Sequence, residues 1–151
     1  MKQTITLAAA NEQDIPALCD LLALLFVQEA EFQPDRAAQE RGLQYIISSP
    51  AVGKIIVARA NGQVVGMLNL LFSISTALGG RVAWLEDMIV HPAWRRQGIG
   101  SALLKEGLSY CRNKHCRRIT LLTDTDNRAA QAFYRHHGFT SSTMLPMRCL
   151  L

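Results

Sequence analysis

Leu85-Glu86-Asp87-Met88-Ile89-Val90-His91-Pro92-Ala93-Trp94-Arg95-Arg96-Gln97-Gly98-Ile99-Gly100 is the stretch that decides the fold. Val82 to Val90 is apolar at almost every position, so both of its faces must be covered, as in a central strand. Glu86 and Asp87 interrupt that run and require a chemical reason for being there. From Gly98 to Cys111 the apolar residues Leu103, Leu104, Leu108 and Cys111 share one side of a helix. The stretch is therefore strand, turn, helix. The first N–H groups of a helix have no internal acceptor and lie at the positive end of its dipole. Glycines let such a backbone approach an anion closely, and Arg95 and Arg96 add charge, so the turn suits a pyrophosphate. It lacks the Gly-Lys-Ser/Thr ending of a Walker loop and the third glycine of a dinucleotide fingerprint.

Working outward, Thr4-Ile5-Thr6-Leu7 alternates like a strand, and Asn11 or Asp14 can cap the helix that follows, with Pro16 in its first turn. Leu18, Leu21, Leu22, Leu25 and Phe26 recur at helical spacing, and Asp35 to Ile47 reads as a second helix. Ile55 to Ala58 and Val64 to Ser75 read as strands joined by the tight turn Asn61-Gly62, with Gly79-Gly80 turning into the central strand. Beyond the central helix come a strand over Arg117 to Thr123 and a helix from Asn127 to His137 stopped by Gly138. A final extended segment is expected from Phe139 onward. Antiparallel strands followed by two βα units predict one α/β domain over residues 1–151, a mixed α+β sheet with helices on both faces.

Composition narrows the function classes. At 151 residues with 49% hydrophobic content the chain can bury a core, so disorder is excluded. The longest apolar block, Leu21 to Val27, is too short for a membrane span. The N-terminus lacks the layout of a signal peptide, which makes a cytoplasmic location the default. Cys19, Cys111, Cys116 and Cys149 have no metal-ligand spacing, so no metal is expected. A net charge of +4 invites nucleic acid, yet aromatics are sparse around the basic clusters and no base-stacking platform is visible. A phosphate-bearing small molecule accounts for the same charge, without nucleic acid or membrane as partners.

The run Leu85 to Leu104 closely resembles the central motif of the GNAT superfamily of N-acetyltransferases, with Arg95, Gly98 and Gly100 matching Arg/Gln-x-x-Gly-x-Gly/Ala. Asn127-Arg128-Ala129-Ala130-Gln131-Ala132-Phe133-Tyr134-Arg135-His136-His137-Gly138-Phe139 resembles the family's second motif, in the family's order and at its usual separation. The resemblance implies a GNAT-like acyl-CoA N-acyltransferase fold of about six to seven strands with four helices. It also implies acetyl-CoA as co-substrate and acetyl transfer directly to a primary amine.

By that resemblance, backbone groups of Met88 and Val90 pair with the pantetheine arm. Arg95, Arg96, Gln97, Gly98, Ile99, Gly100 and Ser101 hold the pyrophosphate, and Asn127 touches the pantetheine or caps its helix. Tyr134 is expected near the cofactor sulfur, where a phenol proton eases departure of the thiolate. Glu86 is the expected base and the Met88 N–H the oxyanion donor, while Asp87 points to the opposite face unless a bulge intervenes. Acceptor pockets in this family lie after the first helix and along the long hairpin. Glu29, Glu31 and Asp87 are the acidic candidates for binding a small cationic amine. A weaker resemblance to diamine acetyltransferases runs through Leu85-Glu86-Asp87, but Asp126 stands where that branch carries tryptophan. A protein or peptide acetyltransferase and a non-catalytic acyl-CoA sensor are the alternatives. The apolar C-terminus either completes the sheet edge or packs against a second subunit as a homodimer contact.

Overall fold

Five strands lie side by side in chain order in one mixed sheet: β1 (Ile5–Ala9), β2 (Gly53–Ala60), β3 (Gln63–Ser75), β4 (Gly80–Val90) and β5 (Ile119–Leu121). The computed structural model describes residues 3–28 and 33–151. The first four strands are antiparallel neighbours; β5 runs parallel to β4, because α3 (Ile99–Asn113) carries the chain back across the sheet. Asn61 and Gly62 take φ of +50° and +80°, the left-handed pair that a two-residue hairpin requires.

The helices divide the core in two. α1 (Ile15–Gln28) and α2 (Arg36–Ser48) bring Leu18, Cys19, Leu21, Leu22 and Leu43 onto Ile55, Val57, Met67 and Ile89. On the other face, Leu103, Leu104 and Cys111 of α3 meet Ile56, Ala58, Leu68, Leu70, Ala83 and Leu85. α4 (Arg128–His136) adds Phe133 and Tyr134 to that side. Gly107 lets α3 approach the sheet closely, since a Cβ there would stand 3.0 Å from Leu68 Cδ2.

β4 is not regular. Leu70 opposes Leu85 but Asn69 opposes Asp87, so Glu86 is an extra residue, a β-bulge. Side-chain alternation therefore changes phase there. Ala83 and Leu85 face α3; beyond the bulge Met88 and Val90 face that side, and Ile89 faces α1 and α2. Asp87 thus shares the α1 face with Asn69 and Met67 instead of following Leu85 to the other side.

The sheet has five strands where six to seven were expected. β5 has only three residues, so it offers a short edge, and Pro146 in the tail has no N–H to donate. Residues 139–151 consequently form no strand, and Met144, Leu145, Met147 and Leu150 are largely exposed. Among the described residues no helix is long and apolar enough to cross a membrane.

One buried ion pair ties the start of the helical layer to the sheet. Arg59 of β2 donates from both Nη atoms to Asp14, at 2.8 and 2.7 Å, while Asp14 also accepts from the Asn11 N–H. Burial alone would push the Asp14 carboxyl up, but Arg59 and the Asn11 N–H hold it below its ordinary 3.8. Its stabilisation is present above that value and is lost as pH falls through the lowered one. Arg59→Met should lower unfolding free energy by about 2–4 kcal/mol at pH 7, because it strands a buried carboxylate. Urea denaturation should show the deficit shrinking below pH 4, where Asp14 becomes protonated.

Candidate active site

β4 and β5 pair only from Ala83↔Ile119 to Leu85↔Leu121. Past Leu85, β4 continues along β3 to Val90 while β5 ends, and the parting leaves an open cleft of about 640 Å³. Its wall from β4 spans Trp84 to Val90, and facing it are Leu122 to Thr125, Asn127, Ala130 and Tyr134. Leu25 and Phe26 of α1, Arg95 of the turn, and Pro146 and Arg148 of the tail complete it.

The bulge also decides which backbone groups face this cleft. Before it, the Ala83 N–H donates to the Arg118 carbonyl, so odd-numbered residues point their polar groups toward β5. After it, the His91 N–H donates to the Val65 carbonyl, so odd-numbered residues point toward β3. Met88 and Val90 are left with N–H and C=O directed at the open edge, where β5 supplies no partner. Arg95 Nε reaches the Val90 carbonyl at 3.1 Å from that side.

The two acids of β4 differ in setting. Glu86, at the bulge, is exposed, whereas Asp87 is partly buried. Burial pushes the Asp87 carboxyl up; a hydrogen bond from Asn69 Nδ2 at 3.0 Å opposes this, the neighbouring Glu86 charge reinforces it, and the outcome is about 6. Such a group is mostly ionised at pH 7 yet basic enough to accept a proton. Across the cleft, burial pushes the Tyr134 phenol up to about 12, so it stays protonated and can donate. Its hydroxyl lies 3.8 Å from Met88 Sδ, and its ring is braced edge-on by Phe133 and Phe139 at centroid distances of 5.3 and 5.6 Å. Asn127 caps α4 by accepting from the Ala130 N–H at 3.1 Å, and it also lines the cleft.

The turn adjoins the cleft at Arg95. Gly98 caps α3 at φ +79°, with no side chain bonded to the first amides, and Arg96 holds a left-handed φ of +60°. A non-glycine residue in that region is strained by roughly 1 kcal/mol or more. The amides of Ile99, Gly100 and Ser101 are in the first helical turn, where helix geometry provides no acceptor. Arg96, Gln97 and Gly98 are exposed, Ile99 is buried in the core, and Ser101 Oγ lies 3.1 Å from His137 Nε2.

The cleft therefore gathers Glu86, Asp87, Met88, Val90, Arg95, Asn127 and Tyr134. Glu29 and Glu31, expected to bind the acceptor, lie outside the described residues. Sequence reasoning passed over Asn69, although a lone amide within Gly66-Met67-Leu68-Asn69-Leu70-Leu71-Phe72 was a signal, because a buried polar group needs a partner. It also passed over Arg148, which the tail brings to the cleft and which no local pattern marks.

The raised Asp87 carboxyl carries a stability consequence. The folded state holds its proton up to about 6 against an ordinary 3.8, so its contribution is full below the ordinary value and lost as pH rises through 6. Asp87→Asn should therefore be the more stable protein at pH 8, by at most about 3 kcal/mol. The gain should vanish toward pH 4 in melting curves taken across the range.

The Acetyltransferase (GNAT) family model matches residues 15–139. The uncharacterized N-acetyltransferase YhfO of Bacillus subtilis (strain 168) is 30% identical over 96 residues, a match spanning 64% of this chain and 64% of that protein. Aminoglycoside N(6')-acetyltransferase type 1 of Klebsiella aerogenes is 30% identical over 127 residues, 79% of this chain and 82% of the relative. Aminoglycoside N-acetyltransferase AAC(6')-Iy, solved in complex with CoA, superposes with a TM-score of 0.84 over 99% of this chain and 97% of that one; at 17% identity this speaks for the fold. With the mixed sheet parted between β4 and β5 and a family match over most of its length, the chain belongs to the acetyltransferase (GNAT) family.

Proposed function

We propose that this protein is an acetyl-CoA-dependent N-acetyltransferase that moves an acetyl group directly onto a primary amine of a small cationic molecule. The observation that carries the reading is the pairing of a proton acceptor, Asp87, with a proton donor, Tyr134, in one cleft along the free β4 edge. In this reading the Met88 and Val90 backbone aligns the pantetheine like an added strand. The uncapped amides of α3, with Arg95 and Arg96, receive the pyrophosphate. The thioester supplies an activated acetyl carbon with a thiolate leaving group.

A lysine-like amine, with a pKa near 10.4, is neutral to only about one part in a few thousand at pH 7. Asp87 accepts the ammonium proton, directly or through water, and frees the nitrogen lone pair to attack the acetyl carbon. The Met88 N–H is placed to stabilise the resulting oxyanion. As the carbon–sulfur bond breaks, the Tyr134 phenol gives its proton to the sulfur. The second proton on nitrogen returns to the Tyr134 oxygen as the intermediate collapses, so the products are the acetamide, the free thiol and the one proton that Asp87 then releases. Asp87 is preferred over Glu86 as the base because burial in the cleft wall raises its carboxyl to about 6, while Glu86 stands exposed at the bulge. A small cationic acceptor is favoured by the carboxylates of Glu86, Asp87 and Asp124 along the cleft. The aminoglycoside acetyltransferase among the relatives supports the same class.

Thiol release from acetyl-CoA should be observed with at least one member of a panel of aminoglycosides, polyamines and amino acids. Acetyl-CoA binding without turnover on any amine, peptides included, would point to a sensor instead. Turnover on peptides alone would favour a protein acetyltransferase. Tyr134→Phe should lower kcat by about 10²-fold with KM for the amine little changed, since a positioned acid is worth about that much. Gly98→Val should weaken acetyl-CoA binding in calorimetric titration by about tenfold or more, because a β-branched residue resists the left-handed cap that aims the amides.

A further inference from the structure

We propose that Asn69 is a positioning residue for the transfer reaction: its side-chain amide holds the Asp87 carboxylate in the orientation in which it accepts the substrate proton. The proposal rests on the reading of Asp87 as the base. Asn69 is 3% exposed in the middle of β3, within an otherwise apolar run, and its Nδ2 donates to Asp87 Oδ2 at 3.0 Å. The two residues are Cα partners in the β3–β4 ladder, immediately beside the Glu86 bulge. The donor is thus fixed by the sheet, and the bulge is what brings Asp87 to the same face as the amide.

Asn69 is an expensive choice if its task is only to fill space. Its Oδ1 is buried with no hydrogen-bond partner among the described residues. An orphaned buried acceptor costs about 1–3 kcal/mol, and a leucine at this core position would avoid that. What leucine cannot do is bond to a carboxylate. The amide end facing Asp87 is specified by chemistry, because an ionised carboxylate only accepts.

The bond also sets the working range of the base. Burial and the Glu86 charge drive Asp87 upward, and Asn69 is the opposing influence that keeps it from rising further. Other charged or titratable groups sharing the cleft are Arg95 from the turn, Asp124 after β5, Tyr134 of α4 and Arg148 of the tail, while α1 contributes Leu25 and Phe26. Removing the donor therefore leaves Asp87 protonated over a wider range, so that the reaction loses its base at a higher pH than before.

The test compares the wild type with Asn69→Leu and Asn69→Asp in the full-length protein. The readouts are the pH profile of kcat/KM for an accepted amine and carbon NMR titration of the Asp87 carboxyl without cofactor. In the wild type the acidic limb and the carboxyl titration should share a midpoint near 6. A hydrogen bond to a charged group is worth about 1.5–3 kcal/mol, so Asn69→Leu should raise both midpoints by about one unit or more. Asn69→Asp keeps the side chain's shape and sets two carboxyls together, so the pair should titrate in two steps, the second well above the wild-type midpoint. A merely structural role would lower activity evenly at every pH. Midpoints that stay at the wild-type value in folded Asn69→Leu protein, or a titration of Asn69→Asp that shows no second, raised step, would overturn the proposal. If Asp87→Asn keeps the wild-type rate, the base reading fails by itself, and the NMR titration still reports whether Asn69 controls Asp87.

Discussion

A strand in the middle of a sheet ordinarily gives all its backbone hydrogen bonds to its neighbours, and β4 does so only as far as Leu85. Beyond that point one side of it is released, and the extra residue at Glu86 determines which groups are released. The same local change reverses the pleat, so that an acid enters the α1 face while Met88 and Val90 turn toward the cleft. Neighbouring parts of the site follow from this. Asn69 finds its acceptor, Tyr134 comes to lie beside Met88, and Arg95 reaches the outward Val90 carbonyl.

The cleft uses one physical effect, desolvation, for two opposite ends. It brings a carboxyl up to about 6 and a phenol up to about 12, so at neutral pH the first is able to accept a proton and the second to donate one. Water would level both toward ordinary behaviour. The aromatic bracing of Tyr134 by Phe133 and Phe139 and the apolar flank from Leu25 and Phe26 therefore help to hold both groups away from water as well as filling space.

Most of the architecture was legible in the sequence where local chemistry and long-range packing ask for the same thing. Asn61-Gly62 can hardly be anything but a hairpin turn, and the spacing of Leu103, Leu104 and Cys111 matches the face that α3 buries. Gly138 was readable as the left-handed position that closes the last helix. The bulge was not legible, since inserting Glu86 beside Asp87 looks in sequence like two polar residues on opposite faces. β5 proved shorter than Arg117 to Thr123 because its length is set by where β4 leaves it, not by its own apolar residues. The tail misled for a related reason: Met144, Leu145 and Met147 have strand-like apolarity, but apolarity does not create an edge to pair with.

The phase change in β4 has a bearing on how such a site can be inherited. Deleting one codon at Glu86 would make the ladder regular with Leu85 still opposite Leu70 and Asp87 still opposite Asn69, and the apolar residues on either side would keep their faces. The acid would keep its amide and the free edge at Met88 and Val90 its direction, with only the exposed carboxylate and the local twist of the bulge removed. Descendants of the scaffold that are shorter by this one residue between Leu85 and His91 therefore keep the same acid–amide pairing.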